Sequence, residues 1–510
     1  MNERFGDRVV TALQMKNLEA DFIENHGIPS ILLMEHAALS VFAMVEEGQR
    51  VLLLVGSGKN GGDAVAVGRL LLGRGIACDF MTFYSGDGCE ELVAQWELLR
   101  SYGYPYEVYD IFGKCPDFIN YDVLIDGIFG IGLNRAVNAD VCKLFDRINR
   151  MANRPRVIAV DVPSGVNATT GQIMEGALRA DVTVTFSYPK TGLLLYPGKK
   201  YTGKLKIVAI GLPENDDIPE YVTFDSLADC EIPRREPDGN KGSFGKISLI
   251  AGCDSMPGAA SLCAKAMYRS GAGLVRVIST EKALQTLHGY CPEAIGVTRE
   301  ELMDAPDPFY GFDQVIVIGP GIGTDSEAER LVDLAIQYGS RLILDADALN
   351  ILAKRLDRMS QDTARRLALL NDWLPESTII TPHPGEMSRL LNVTVSELKE
   401  DPLRFTKLIR QYCSFIWIWK DCCSIVVSER GYYLNQSGND AMGTAGSGDV
   451  LAGICGAFAA GEWGMAQAAS AAVYVHGLAG DYCRETLGSH GTMAGDIANA
   501  IGYVLKEQEQ

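Results

Sequence analysis

Short apolar runs recur along the chain at spacings that leave room for a helix between them: Val51 to Val55, Ala77 to Tyr84, Val123 to Ile125, Val157 to Val160, Val182 to Phe186 and Leu205 to Ile210. Continuous runs of this length suit strands buried on both faces. Their alternation with helical stretches predicts a mostly parallel α/β sheet with ligands at the strands' carboxyl ends. The pattern lapses between Pro213 and Lys241, where four prolines, clustered acids and "RREPDGNKG" make a poor core, so 216–240 reads as a linker or edge segment. Alternation resumes with Lys246 to Ala251, Leu274 to Ile278, Gln314 to Ile318, Leu342 to Asp345, Ser377 to Thr381 and Ser424 to Val427. Two different α/β domains are expected, 1–215 and 241–510, the first a Rossmann-like three-layer α/β/α domain. No short internal repeat or low-complexity tract is present.

Composition narrows the function classes. With 510 residues, 47% of them hydrophobic and 22% charged, the chain can bury several cores. "MNERFGDRVV" has no apolar signal region, and the longest weakly polar run, Val450 to Gly461, is too short to span a bilayer, so a cytoplasmic protein is expected. A net charge of -19 argues against nucleic-acid and membrane partners. The 13 cysteines are odd in number and scattered, with no C-x-x-C pair, and are expected to be reduced and mostly buried.

Candidate chemistry sits where strands end. In "VLLLVGSGKNGGDAVAVGRLL", Gly56, Gly58 and Gly61 satisfy G-x-G-x-x-G, but the P-loop pattern fails because Asn60 follows Lys59. A dehydrogenase reading lacks its ribose-binding acid, since Asp79 falls inside the next strand and Asp87 beyond it. Asn60, Asp63, Asp126, Asp161 and Ser164 all follow predicted strands and can converge on one edge. Carboxylates, an amide oxygen and a hydroxyl together suit a hard cation, whereas each alone reads equally as a helix cap or turn residue.

"KNGGDAVAVGRLL", "DGIFGIGLNR" and "DVPSGVNATTGQ", after an N-terminal "QMKNLEADFIENHGIPSILLMEHAAL", resemble the signature segments of NAD(P)H-hydrate epimerases over roughly 1–215. The resemblance implies a potassium ion on Asn60, Asp126 and Ser164. It implies substrate contacts from Lys59, Asn60, Gly61, Gly62 and Asp63, from Gly130, Ile131, Gly132, Leu133, Asn134, Arg135 and Ala136, and from Asp161. Lys59, Ala64 and His36 depart from the family, which usually carries Asn, Gly and Asn there. The substrate is a hemiaminal whose stereocentre is scrambled by breaking and remaking one C–O or C–N bond. That requires proton transfer, for which Asp161 is the candidate acid or base. Lys190, in "SYPKTG", is a candidate partner for Asp161 or for a phosphate, and reads equally as a solvated lysine.

In the second half, "GNDAMGTAGSGDVLAGICGAFAAG" places Gly446, Gly448 and Asp449 before a helix of small residues. Backbone N–H groups at such a start attract phosphate, and Asp449 among them reads either as a base or as a helix cap. The segment resembles ribokinase-like folds and, more closely, ADP- or ATP-dependent NAD(P)H-hydrate dehydratases. "GKISLIAGCDSMPGAASLCAKAMYRSGAGLV", "IGPGIG", "LDADALN" and "TPHPGEMSRLL" extend that likeness over roughly 225–505. It implies substrate contacts from Ala259, Gly321 or Gly323, His383 and catalytic Asp449. The nucleotide, with magnesium, would meet Lys420, Asp421, Cys422, Cys423, Ser424 and Gly448. Asp421 stands at the family's usual glycine, and a carboxylate there should weaken nucleotide binding unless it points away.

The reading is a bifunctional repair enzyme, an isomerase fused to a lyase, acting as a homo-oligomer on NAD(P)H hydrates and ADP or ATP. The alternatives are a ribokinase-like small-molecule kinase and an N-terminal nucleotide-binding module without catalysis.

Overall fold

A computed structural model describes residues 7–212, 220–233, 235–312, 314–461 and 463–506. Part of the stretch read as a linker, 213–219 and position 234, lies outside the described residues. The chain divides into two compact units, Arg8–Pro219 and Met1–Asp7 with Glu220–Gln510.

In the first unit, helices α1 (Ala12–His26), α2 (Ser30–Phe42) and α3 (Lys59–Gly73) accompany strands β1 (Val51–Val55), β2 (Cys78–Thr82), β3 (Val108–Asp110), β4 (Val123–Gly127), β5 (Arg156–Val160), β6 (Val182–Phe186) and β7 (Lys204–Val208). The strands pair in parallel in the order β3-β2-β1-β4-β5-β6-β7. Side chains alternate between the two faces of a strand, so each apolar run feeds two cores. Val51, Leu53 and Val55 of β1 join Val123 and Ile125 under α2 and α3. Leu52 and Leu54 join Leu124, Val157 and Ala159 on the other face, with Leu144 and Phe145 of the helix Ala139–Asn149. Helices on both faces make the doubly wound, three-layer arrangement and send the ends of β1, β4, β5 and β6 to one edge. Asp79 of β2 is spent structurally: it accepts from Tyr121 Oη at 2.9 Å, Arg50 Nη2 at 3.0 Å and Glu107 N at 2.9 Å. It is not free to meet a ribose.

In the second unit, the sheet holds β8 (Tyr221–Thr223), β9 (Lys246–Ile250), β10 (Leu274–Ser279), β11 (Ile295–Thr298), β12 (Val315–Ile318), β13 (Leu342–Leu344), β14 (Thr378–Ile380), β15 (Ile416–Trp419), β16 (Ile425–Ser428) and β17 (Gly431–Leu434). From Tyr221 onward their order is β8-β17-β16-β15-β14-β13-β12-β9-β10-β11. β15, β16 and β17 pair antiparallel, and β8 closes beside β17 in parallel. The stretch 216–240 therefore contributes a fully buried strand. The helices that matter for the site are α4 (Pro257–Arg269), α5 (Ala346–Asp357), α6 (Pro384–Leu391), α7 (Ser447–Ala460) and α8 (Met465–Leu487). α7 is buried from Val450 to Ala460, and its small residues let it lie in the core against α4 and α8. No helix among the described residues is long and apolar enough to cross a membrane.

Candidate active sites

The first site grows from the turn between β1 and α3. Asn60, in the first turn of α3, is 8% exposed, and its Nδ2 has no hydrogen-bond partner. Gly130 lies against its carboxamide: a Cβ there would sit 3.2 Å from Asn60 Cγ. Beneath it Asp126, at the end of β4, is fully buried. Ser164 donates to it twice, Oγ to Oδ1 at 2.5 Å and N to Oδ2 at 2.8 Å, and Ile128 N reaches Oδ1 at 3.4 Å. Burial pushes Asp126 up to about 6 against those bonds, with no charged side chain opposing it. A dry carboxylate beside an unpartnered carboxamide and a hydroxyl is a hard-oxygen set with a charge to neutralise, and it fits a cation.

Asp161 follows β5 with φ 65°, the left-handed region that a non-glycine residue occupies at a cost. Its Oδ1 accepts from Lys190 Nζ at 2.5 Å, Thr185 Oγ1 at 2.9 Å and Phe186 N at 3.2 Å. Lys190 has no exposed surface and also donates to Thr185 Oγ1 and to the Phe186 carbonyl, at 3.0 and 3.1 Å. Lys190 is thus Asp161's partner, not a solvated lysine.

A cavity of about 710 Å³ is lined by Lys59, Asn60, Asp63, Asp161 and 128–135, but not by Asp126, Ser164, Gly61, Gly62, Ala136 or Lys190. Asp63 accepts no hydrogen bond from the described residues, and burial, then Asp161 and Glu19, push its carboxyl well above the ordinary range. Lys59 pairs with Glu91 Oε1 at 3.3 Å, and His36 Nδ1 lies 2.9 Å from the Ile210 carbonyl. Among the lining residues that the sequence does not mark are four charged ones, Lys16, Glu19 and Glu24 of α1 and Glu91. A charged residue on an amphipathic helix looks the same whether it faces solvent or a cavity.

In the second unit the strand ends gather another buried pair. Asp345 follows β13 and is 1% exposed; its Oδ1 accepts from Lys420 Nζ at 2.6 Å and from Thr381 Oγ1 at 2.6 Å. Burial opposes the charge of Lys420, but Asp345 and Glu386 hold its ammonium above the ordinary value. Asp449 sits in the first turn of α7, where burial, reinforced by Asp345 and opposed by Lys420, pushes it up to about 7. The helix starts at Gly446, φ 90°, with no side-chain cap, leaving its first N–H groups available to an anion. Lys420 overhangs that start: a Cβ on Gly448 would lie 3.4 Å from its Nζ.

Around this centre, Gly321 and Ala259 are neighbours, 3.0 Å from a built Cβ to the alanine's own. Gly323 N donates to Asp347 Oδ2 at 2.9 Å. His383 caps α6, its Nδ1 accepting from Gly385 N at 3.0 Å, while its own N–H donates to Glu386 Oε2 at 2.9 Å. Glu386 is 4% exposed, and burial pushes it up to about 7. Of 420–424, Lys420 reaches Asp345. Asp421 turns onto Cys422 N at 2.8 Å and lies 3.8 Å from Lys399, Cys423 Sγ donates to the Asn435 carbonyl and Ser424 Oγ to the Asp421 carbonyl. Asp345 and Glu386 lie inside "LDADALN" and "TPHPGEM" without being singled out by sequence. For Asp345 the available signal is the one that marks Asp126 and Asp161, an acid closing or following a buried strand; Glu386 lies in the first turn of α6 and has no such signal.

Known proteins resemble this chain over both units. A family model described as NAD(P)H-hydrate dehydratase matches 247–502, and one described as YjeF-related protein N-terminus matches 30–192. The chain is 33% identical to the bifunctional NAD(P)H-hydrate repair enzyme of Moorella thermoacetica, over 98% of this chain and 97% of that one. It is 30% identical to the enzyme of the same name from Thermofilum pendens, over 98% and 96%. A crystal structure of a ribokinase-like superfamily protein from Enterococcus faecalis superposes with TM-score 0.50 at 27% identity, over 58% of this chain and 99% of that one.

Proposed function

The chain belongs to the family of bifunctional NAD(P)H-hydrate repair enzymes, and from that premise we propose that it interconverts the R and S hydrates of NADH and NADPH in one domain and dehydrates the S form in the other. The unit Arg8–Pro219 carries the first activity and the unit from Glu220 onward the second. The observation that carries the reading is a buried aspartate–lysine pair at the strand ends of each unit, Asp161–Lys190 and Asp345–Lys420.

In the first domain, Asn60, Asp126 and Ser164 hold potassium, which supplies a positive charge beside the hydrate. The support is the uncompensated buried carboxylate and the unpartnered carboxamide next to it. Lys59, Gly61, Gly62, Asp63 and the loop 130–136 embrace the nucleotide. Asp161, fixed by Lys190, exchanges the proton that epimerisation requires.

In the second domain, Asp449 takes the proton of the ring hydroxyl as the terminal phosphoryl of ADP or ATP transfers to it. Lys420 and the start of α7 at Gly448 oppose the charge on the phosphate. Phosphate then leaves with the C–O bonding pair, and loss of the neighbouring ring proton restores NADH or NADPH. Magnesium accompanies the nucleotide. Ala259, Gly321, Gly323 and His383 position the hydrate, and 421–424 flank the nucleotide.

The free cysteines suit a reducing cytoplasm. Leu32 and Leu39, exposed on α2, offer an apolar face for a homo-oligomer. The test is to incubate mixed hydrate epimers with and without ADP and magnesium, in potassium or sodium buffer, following both epimers and absorbance at 340 nm. Interconversion favoured by potassium, with reduced cofactor and inorganic phosphate formed only with nucleotide, is expected. A stable phosphoester product would instead make the second domain a kinase.

A further inference from the structure

We infer that Glu19 is a second catalytic residue of the epimerisation, the proton donor to the hydrate's ring hydroxyl, working opposite Asp161. This role rests on the epimerase reading of the first unit.

Placement comes first. The chain just before α1 is stapled to the segment that carries Lys190: Val10 N donates to the Pro189 carbonyl at 3.0 Å, and Thr191 N to the Val10 carbonyl at 2.9 Å. Ala12 N donates to Thr169 Oγ1 at 3.1 Å, and Thr11 starts the helix in a capping box with Gln14. α1 therefore begins beside Lys190. Lys16, Glu19, Ala20 and Ile23, spaced to share one helical face, all line the cavity that also holds Asp161 and Asp63.

The division of labour follows from the partners each acid has. Asp161 accepts three hydrogen bonds on one oxygen, one of them from a fully buried ammonium, which fixes its orientation. Glu19 is half-buried and makes no hydrogen bond or ion pair with the described residues. Burial and then Asp161 raise its carboxyl above the ordinary range, against the charges of Lys190, Lys59 and Lys16. Asp63 of α3 lines the same cavity, and Glu19 is among the charges that push its carboxyl up. An unpartnered carboxyl and a carboxylate fixed by an ammonium, lining one cavity, are suited to donor and acceptor roles.

The step balances without a further reactant. Glu19 gives its proton to the ring hydroxyl, the C–O bond breaks with its electron pair leaving on water, and the ring nitrogen's lone pair forms an iminium cation facing Asp161. Water then adds to the opposite face of the ring carbon and gives its proton to Asp161, and proton exchange with solvent returns Glu19 to the acid form and Asp161 to the base.

The experiment uses the full chain with mixed epimers. Glu19→Gln should lower kcat for interconversion by about 10²- to 10⁴-fold. Its KM should stay within about threefold, and dehydration of the S hydrate by the same sample should be unchanged. In the wild type the rate should fall as pH rises through the ionisation of Glu19, a limb that Glu19→Asp retains at a reduced rate and Glu19→Gln loses. An active wild type with an equally active Glu19→Gln overturns the role of Glu19 alone, as does a variant altered only in KM. A wild type that interconverts nothing overturns the epimerase reading, and this role with it.

Discussion

At the scale of single residues, the two catalytic acids stand differently to the lysines near them. Asp161 touches its lysine directly, whereas Asp449 receives the lysine's charge at a distance and is dominated by its own desolvation and by Asp345. With Asp449 raised to about 7, the dehydration it serves as base should lose about tenfold in kcat/KM per pH unit well below that value and level off above it. A profile flat from pH 5 to 9 would remove Asp449 from the role. Stability runs the other way. Because the folded-state value lies above the unfolded one, the contribution of Asp449 is fully present below the unfolded value and is lost as pH rises through about 7. Sequence made Asp126, Asp161 and Asp449 legible because each closes or follows a buried strand or opens a glycine-rich helix. Glu19 was not legible, since nothing in a helical period distinguishes a cavity from solvent.

At the scale of elements, the glycines of "GSGKNGG" divide by what they touch. A Cβ on Gly61 would lie 1.9 Å from the Gly56 carbonyl oxygen, and one on Gly56 would lie 1.8 Å from that of Ile128. One on Gly58 would meet nothing within 4 Å. The G-x-G-x-x-G match thus records the close turn from β1 into α3, which carries Asn60 and Asp63 to the site, and its phosphate reading has no separate support. Gly61→Ala forces backbone apart and should cost about 3 kcal/mol or more, whereas Gly58→Ala, at φ −99°, should stay within about 0.5 kcal/mol. Thermal melts of the two variants with epimerase rates check this; equal melts would mean that the turn yields more easily than its contacts indicate. The parallel strands were read close to their ends because each is one apolar run between helices. β17 follows β16 after only Glu429 and Arg430, so no helix separates "GYYL" from the run before it; β15, which follows the helix Pro402–Tyr412 and pairs in parallel with β14, fits the same pattern as the strands the sequence marks. Length does not separate the strands that escape from those that register: β3 and β8 are three residues each, and so are β13 and β14.

At the scale of the whole molecule, each unit has its own sheet, core and buried aspartate–lysine pair. The proposed chemistry couples them through a shared pool of hydrates: one activity equilibrates the epimers, and the other drains one of them. That predicts separable defects. With mixed epimers, ADP and magnesium, the wild type should convert both. Asp161→Asn should consume the S hydrate at the normal rate and leave R to its slow uncatalysed epimerisation. Asp449→Asn should interconvert the epimers and form no reduced cofactor. Mixing the two inactive variants should restore complete conversion, because hydrate released by an epimerase-competent chain is available to any dehydratase-competent one. Epimer chromatography and absorbance at 340 nm follow every case. If the mixture stalls with R remaining while both single activities are intact, the hydrate does not pass through solution and the two active centres must lie on the same chain.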